Sequence, residues 1–126
     1  MMDINTVSGM VVGAAIEVHR HLGPGLLESV YQQCLRHELE LRGANVQTEL
    51  RLQGNYKGHM FDIDYRMDML VNNCVVVELK VVEKLLPVHK AQLLSYLRLS
   101  DKKLGLLINF NETLVKNGIK RIVNQL

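Results

Sequence analysis

The chain has 126 residues, 48% hydrophobic and 22% charged, enough to bury one sizeable core in a single domain spanning residues 1–126. Its net charge of +2 is too small to argue for a nucleic-acid partner, and 5% aromatic residues with no Trp offer no wall of stacking platforms for single strands. No apolar run approaches the roughly 20 residues of a membrane span, and "MMDINTVSG" lacks a basic leader, so a cytoplasmic protein without membrane association is expected.

The charge is uneven: residues 1–63 carry 5 Lys and Arg against 7 Asp and Glu, and residues 64–126 carry 10 against 6. Cys34 and Cys74 have no Cys or His at metal-ligand spacing and read as reduced core thiols. Ile4, Val7, Met10, Val11, Ala14 and Val18 recur at steps of three and four, predicting an amphipathic helix over about residues 3–21. "LGPG" at 22–25 ends it, with Gly23 expected in the left-handed C-cap conformation. A second helix, about 26–42, carries Tyr31, Leu35 and Leu39 on one stripe and stops at Gly43. "NVQTELRLQ" alternates like a half-buried strand, "GNYKG" reads as a turn, and "HMFDIDYRMDMLV" and "CVVVELKVV" are two further strands around Asn72 and Asn73. "VHKAQLLSYLRLS" after Pro87 has helical spacing, "LGLLINF" is a buried strand, and "IKRIVNQL" is a short final one. The order α α β β β α β β predicts an α/β mixed sheet with helices packed on it.

Chemistry concentrates on "VVVELKVV". Strand alternation sends Val76, Glu78 and Lys80 to one face and Val75, Val77, Leu79 and Val81 to the other, the core face. An acidic-x-Lys triplet means little alone, since Asp101-Lys102-Lys103 has the same spacing in an apparent solvated turn. Asp68, in "YRMDMLV", raises the signal. A two-residue turn at Asn72-Asn73 would place Asp68 opposite Val77 and away from Glu78, whereas a three-residue loop at 72–74 places it directly across from Glu78. The second register is expected. Converged carboxylates repel, and a hard divalent cation, magnesium or manganese, relieves them, polarises a phosphoryl oxygen and lowers the pKa of a water. Lys80 would orient that water or neutralise developing charge.

Asp68 followed by Glu78-Leu79-Lys80 and then a helix resembles the PD-(D/E)XK nuclease superfamily, which implies a restriction-endonuclease-like αβββαβ core, here with an extra N-terminal helix and a short C-terminal strand. Across nearly the whole chain, "AAIEVHRHLGPGLLESVY", "YRMDMLV", "VVVELKVV", "AQLLSYL" and "GLLINF" together resemble the small bacterial and archaeal GxxExxY proteins, whose motif stands here as Gly25-Leu26-Leu27-Glu28-Ser29-Val30-Tyr31. The resemblance implies Glu28 as the helix glutamate, Asp68 as the metal aspartate, and Glu78 and Lys80 as the (D/E)XK pair. Met67 stands where the motif's proline would be. Gln92 and Tyr96 resemble the Q-x-x-x-Y element of RecB-type nucleases, with His89 on the same helical face, so all three are expected to line the substrate path.

Other residues read more plainly. Tyr31 is expected in the core or behind the site, and Gly23 and Gly25 as backbone devices of a sharp turn. His19 and His21, two apart on a helix, do not face one another and do not suit a metal. Lys102, Lys103, Lys116, Lys120 and Arg121 form a basic cluster that would matter for DNA only if it borders the carboxylates. The reading is a magnesium- or manganese-dependent nuclease cutting DNA, with Asp68, Glu78 and Glu28 at the metal and a homodimer compatible with it. The alternative is a nuclease-fold module that binds nucleic acid or a protein partner without cutting.

Overall fold

The structure, a computed structural model, describes residues 2–126. Helix α1 (Ile4–Leu22) begins at Asp3, whose Oδ1 accepts the Thr6 N–H at 2.8 Å and so satisfies one of the free donors of the first turn. Its stripe of Val7, Val11, Ala14, Ala15 and Val18 is buried. Gly23 ends it at positive φ (70°), but ψ is −177°, an extended conformation and not the left-handed helical cap expected from "LGPG". The sharp turn is held from the next helix, α2 (Glu28–Leu41): the fully buried Tyr31 hydroxyl donates to Gly23 O at 2.5 Å and accepts from Leu26 N–H at 3.1 Å. Tyr31, Leu35 and Leu39 form the buried stripe that the spacing predicts.

Five strands follow: β1 (Val46–Tyr56), β2 (His59–Val71), β3 (Val75–Lys80), β4 (Leu104–Asn109) and β5 (Ile119–Val123), with α3 (Pro87–Ser100) between β3 and β4 and a short 3-10 helix at Val115–Gly118. The sheet runs β1-β2-β3-β4-β5. All neighbours are antiparallel except β3 and β4, which are parallel because α3 carries the chain back across the sheet. "GNYKG" departs from its expected reading as a turn: β1 continues through Tyr56, and only Lys57 and Gly58, both at positive φ (50° and 86°), make the bend.

Both faces of the sheet are covered. Val75, Val77 and Leu79 of β3 join Leu104, Leu106 and Ile108 of β4 under α1 and α2, while Val76 and Leu107 meet Leu93 and Leu97 of α3 on the other side. Each such side chain contributes about 1.5–3 kcal/mol on full burial. The sequence reading placed only one face of "VVVELKVV" in a core. Helix α3 covers the second, and Gly105 lets it sit close, since a Cβ there would lie 3.1–3.3 Å from Leu93.

A carboxylate pair at the end of the central strand

The site is made by a loop of three residues. Asn72 and Asn73 take left-handed conformations (φ 49° and 55°), which Asn tolerates better than most residues, and Cys74 N–H closes the turn on Val71 O at 3.1 Å. Asn72 also grips the start of β1, accepting Asn45 N–H on Oδ1 and donating its own N–H to Asn45 O, each at 2.8 Å. The register is Val71 opposite Val75, Leu70 opposite Val76 and Met69 opposite Val77, so the next pair across the hairpin is Asp68 and Glu78, the arrangement expected of a three-residue loop.

At that pair the backbone ladder stops and side chains replace it. Asp68 N–H donates to Glu78 Oε1 at 3.2 Å, and Leu79 N–H donates to Asp68 Oδ2 at 2.8 Å. The ladder stops because β2 changes face here. Met69 and Val71 belong to the core under α1 and α2, yet Ile63 and Met67, of the same parity, belong to the core under α3. The partner strand bends at the matching point, where Glu49 has φ 55°. Strong local twist of this kind re-aims side chains.

Glu78 is 5% exposed, and burial first, then the Asp68 charge, pushes its carboxyl from the ordinary 4.5 up to about 7. The Tyr65 hydroxyl, the Asp68 N–H and the Lys80 ammonium act the other way. Asp68, half-buried, is also pushed up by burial, with its bond from Leu79 N–H opposing and the Glu49 charge adding to the rise. Lys80 ends β3 opposite Asn109 of β4, and among the described residues it makes no ion pair. Glu28, the first residue of α2, is exposed as a residue, but its carboxyl end packs near the sheet; partial burial first and the Asp68 charge next push it up.

His89, Gln92 and Tyr96 of α3 line one shallow cleft with Glu78 and Lys80, floored by Leu93 and Leu107. Gln92 Nε2 approaches the Tyr96 hydroxyl at 3.5 Å. His89 also has a structural duty: its Nδ1 accepts the Leu86 N–H at 2.9 Å and caps α3. Tyr65 completes the cleft, its ring stacked 4.0 Å from Tyr96 at 14° and its hydroxyl against Glu78. Burial, then the Glu78 charge, keeps that phenol protonated.

Neither Tyr65 nor Glu49 was singled out from the sequence, and neither was Asn109. The Asn109 side chain is fully buried and holds the chain just beyond Lys80: Oδ1 accepts Val82 N–H at 3.1 Å and Nδ2 donates to Val82 O at 2.8 Å. Three of the five residues of the basic cluster lie away from the carboxylates. Lys102 and Lys103 precede β4 at the strand end opposite Lys80, and Lys116 lies on the α1 side of the sheet.

The donor chemistry suits a hard cation. One oxygen of each carboxylate is held by a backbone N–H, leaving Asp68 Oδ1 and Glu78 Oε2 free of such bonds. Among the described residues no three His, Cys, Asp or Glu side chains form a group that could hold a metal ion, and Glu28 stands near enough to the pair to feel the Asp68 charge. Magnesium commonly takes one or two carboxylates and keeps water in its remaining positions, which fits two.

A family model described as the PD-(D/E)XK nuclease superfamily matches residues 5–122. Among solved proteins, the crystal structure of SSO0001 is 26% identical with a TM-score of 0.57, over 79% of this chain and 51% of its own. The chain thus spans about half the length of that protein. No curated protein matches the chain.

Proposed function

The chain belongs to the PD-(D/E)XK nuclease superfamily, and from that premise we propose that it is a divalent-metal-dependent nuclease that hydrolyses DNA phosphodiester bonds. One observation carries the reading: Asp68 and Glu78 converge at the end of β3 beside Lys80, with their charges set against each other by burial. A buried carboxylate beside a half-buried one destabilises the fold while both are charged, unless a positive charge joins them.

Asp68 and Glu78 would hold the cation, magnesium or manganese, which when bound supplies Lewis acidity toward the phosphoryl oxygen. The backbone bonds from Asp68 N–H and Leu79 N–H fix the two carboxylates before substrate arrives, so little reorganisation is left to the reaction. Among the described residues Lys80 makes no ion pair, and it would orient the attacking water and offset charge on the phosphate. Glu28, whose carboxyl feels the charges of Asp68 and Lys80, would help to position that water. Gln92, Tyr96 and His89 would line the path of the strand, with Tyr65 behind Glu78. A shallow cleft suits a polymer backbone better than an engulfed small molecule.

The test is cleavage of duplex and single-stranded DNA with magnesium or manganese. Asp68→Ala and Lys80→Ala each abolish cutting if the reading holds. Cleavage that survives both removes this mechanism, and metal-independent DNA binding without cleavage in the unaltered chain favours a binding module.

A further inference from the structure

A second cavity, of about 250 Å3, gathers Lys84, Lys90 and Lys120 around Glu112 and Gly118. Each lysine comes from a different element: Lys84 from the loop after β3, Lys90 from near the start of α3, and Lys120 from β5. Gly118 brings the 3-10 helix close to the end of β4, since a Cβ there would lie 2.7 Å from both Asn109 O and Glu112 Cγ. None of the three lysines makes an ion pair among the described residues, with Glu112 or with any other acid. Three ammonium groups and one carboxylate leave the lining with a net charge of +2. Like charges crowded into one concavity repel, as the two carboxylates do, and an anion relieves them.

The strand register fixes where this cavity stands. Glu78 of β3 pairs with Leu107 of β4, and Leu107 pairs with Lys120 of β5. Residues paired in register point to one face, and Leu107 and Ile122 both pack under α3. Glu78 and Lys120 therefore share the α3 face, two strand spacings apart, about 10 Å. Leu107 between them floors the carboxylate cleft. On the helix side, His89 lines the cleft and its neighbour Lys90 lines the lysine cavity. The loop bearing Lys84 is pinned to the scaffold that faces Lys80: Asn109, opposite Lys80, holds both backbone groups of Val82, at 3.1 and 2.8 Å. Carboxylates and lysines thus stand side by side on one face, at one end of the central strands.

We propose that Lys84, Lys90 and Lys120 form a second phosphate site for the strand engaged by the carboxylate cleft, holding a phosphate adjacent along that strand to the one at Asp68 and Glu78. The inference rests on the nuclease reading above. A phosphate presents several acceptor oxygens and its negative charge in all directions, and three ammonium donors arriving from a loop, a helix and a strand meet it from three sides. The phosphate is either an internal diester or the monoester at a strand end, and the unspent positive charge of the lining serves both. A phosphate held here positions the strand without reading its bases, and the register of β3, β4 and β5 then decides which bond lies at the carboxylates.

The salt dependence of oligonucleotide binding, measured on the full chain with chelator present so that the strand stays whole, tests this without any cleavage. Each phosphate neutralised contributes about 0.7–0.9 to the slope of log K against log salt. Lys84→Gln, Lys90→Gln and Lys120→Gln combined are expected to lower the slope by about that amount, roughly five- to eightfold in affinity at about 0.1 M salt, because the three serve one phosphate. Lys116→Gln, on the α1 side of the sheet, leaves the slope unchanged. An unchanged slope in the triple variant overturns the proposal, as does a fall of about 2 or more, which means three separate contacts, or a failure of the unaltered chain to bind. Oligonucleotides with hydroxyl or phosphate ends separate the two sources. An end phosphate that tightens binding only while the lysines are present assigns the site to a strand end; a slope loss indifferent to the ends assigns it to the internal backbone. DNA cleavage without the slope loss removes this site and keeps the nuclease reading, whereas the slope loss with cleavage never found removes the nuclease reading and keeps the site.

Discussion

Asp68 and Glu78 bind each other's strand through their side chains at the point where the β2–β3 ladder ends: Asp68 N–H reaches Glu78 Oε1 at 3.2 Å, and Asp68 Oδ2 receives Leu79 N–H at 2.8 Å. The bonds do two things at once. They satisfy backbone groups that the departing strand has abandoned, and they hold two carboxylates together that would otherwise swing apart.

Divalent metal binding should depend on this pair. Isothermal calorimetry with manganese is expected to show binding to the unaltered chain, and Asp68→Asn to weaken it by tenfold or more, since an amide keeps the Leu79 contact but loses the charge. Equal affinity in the two proteins would remove Asp68 from the ligand set.

The pH dependence of stability follows from Glu78. Its folded carboxyl holds a proton up to about 7 and its unfolded one only to 4.5. Between those values the unfolded chain binds fewer protons than the folded one, so stability falls as pH rises through the window and levels off above it, by about 3 kcal/mol at most. Asp68, also raised by burial, acts with the same sign. Urea unfolding should show this decline in the unaltered chain and a much smaller one in Glu78→Gln, whose amide oxygen can still accept Asp68 N–H. Stability that rises between pH 5 and 7 in the unaltered chain would contradict the assignment.

Asn109 is expected to be a structural requirement of the site. Its amide satisfies both the N–H and the C=O of Val82, two residues beyond Lys80. Asn109→Leu leaves the Val82 N–H unpaired, at about 1–3 kcal/mol, and leaves Val82 O only the longer bond from Asn111 Nδ2 at 3.3 Å. Denaturant unfolding should register a loss of about 1–3 kcal/mol, and cleavage should fall with it as Lys80 loses its fixed backbone.

The sequence carried the hairpin register because it is a parity argument: an odd loop at 72–74 decides which face Asp68 occupies, and the apolar alternation of Val75–Leu79 decides which faces are buried. It also carried Tyr31, because the stripe with Leu35 and Leu39 marks burial. It did not carry the change of face at Asp68. Glu49 adopts a left-handed conformation with none of the Gly or Asn chemistry that would announce it, and the same twist turns Tyr65 toward Glu78 from a strand position that reads as one more alternating residue. Membership in the cluster under α3 depends on a helix some thirty residues downstream of Tyr65, which no local period encodes.

Tyr65 gives the most specific consequence for activity. Its hydroxyl faces Glu78 and favours the charged carboxylate, the form needed to hold a cation. Tyr65→Phe keeps the ring stacked on Tyr96 and removes only that hydroxyl. A hydrogen bond to a charged group worth about 1.5–3 kcal/mol corresponds to roughly 1–2 pH units. The acid limb of kcat/KM for metal-dependent cleavage should therefore move upward by that order in Tyr65→Phe, with the rate at high pH nearly kept. An unmoved acid limb with a uniformly lower rate would mean that Tyr65 shapes the cleft and does not act on the charge of Glu78.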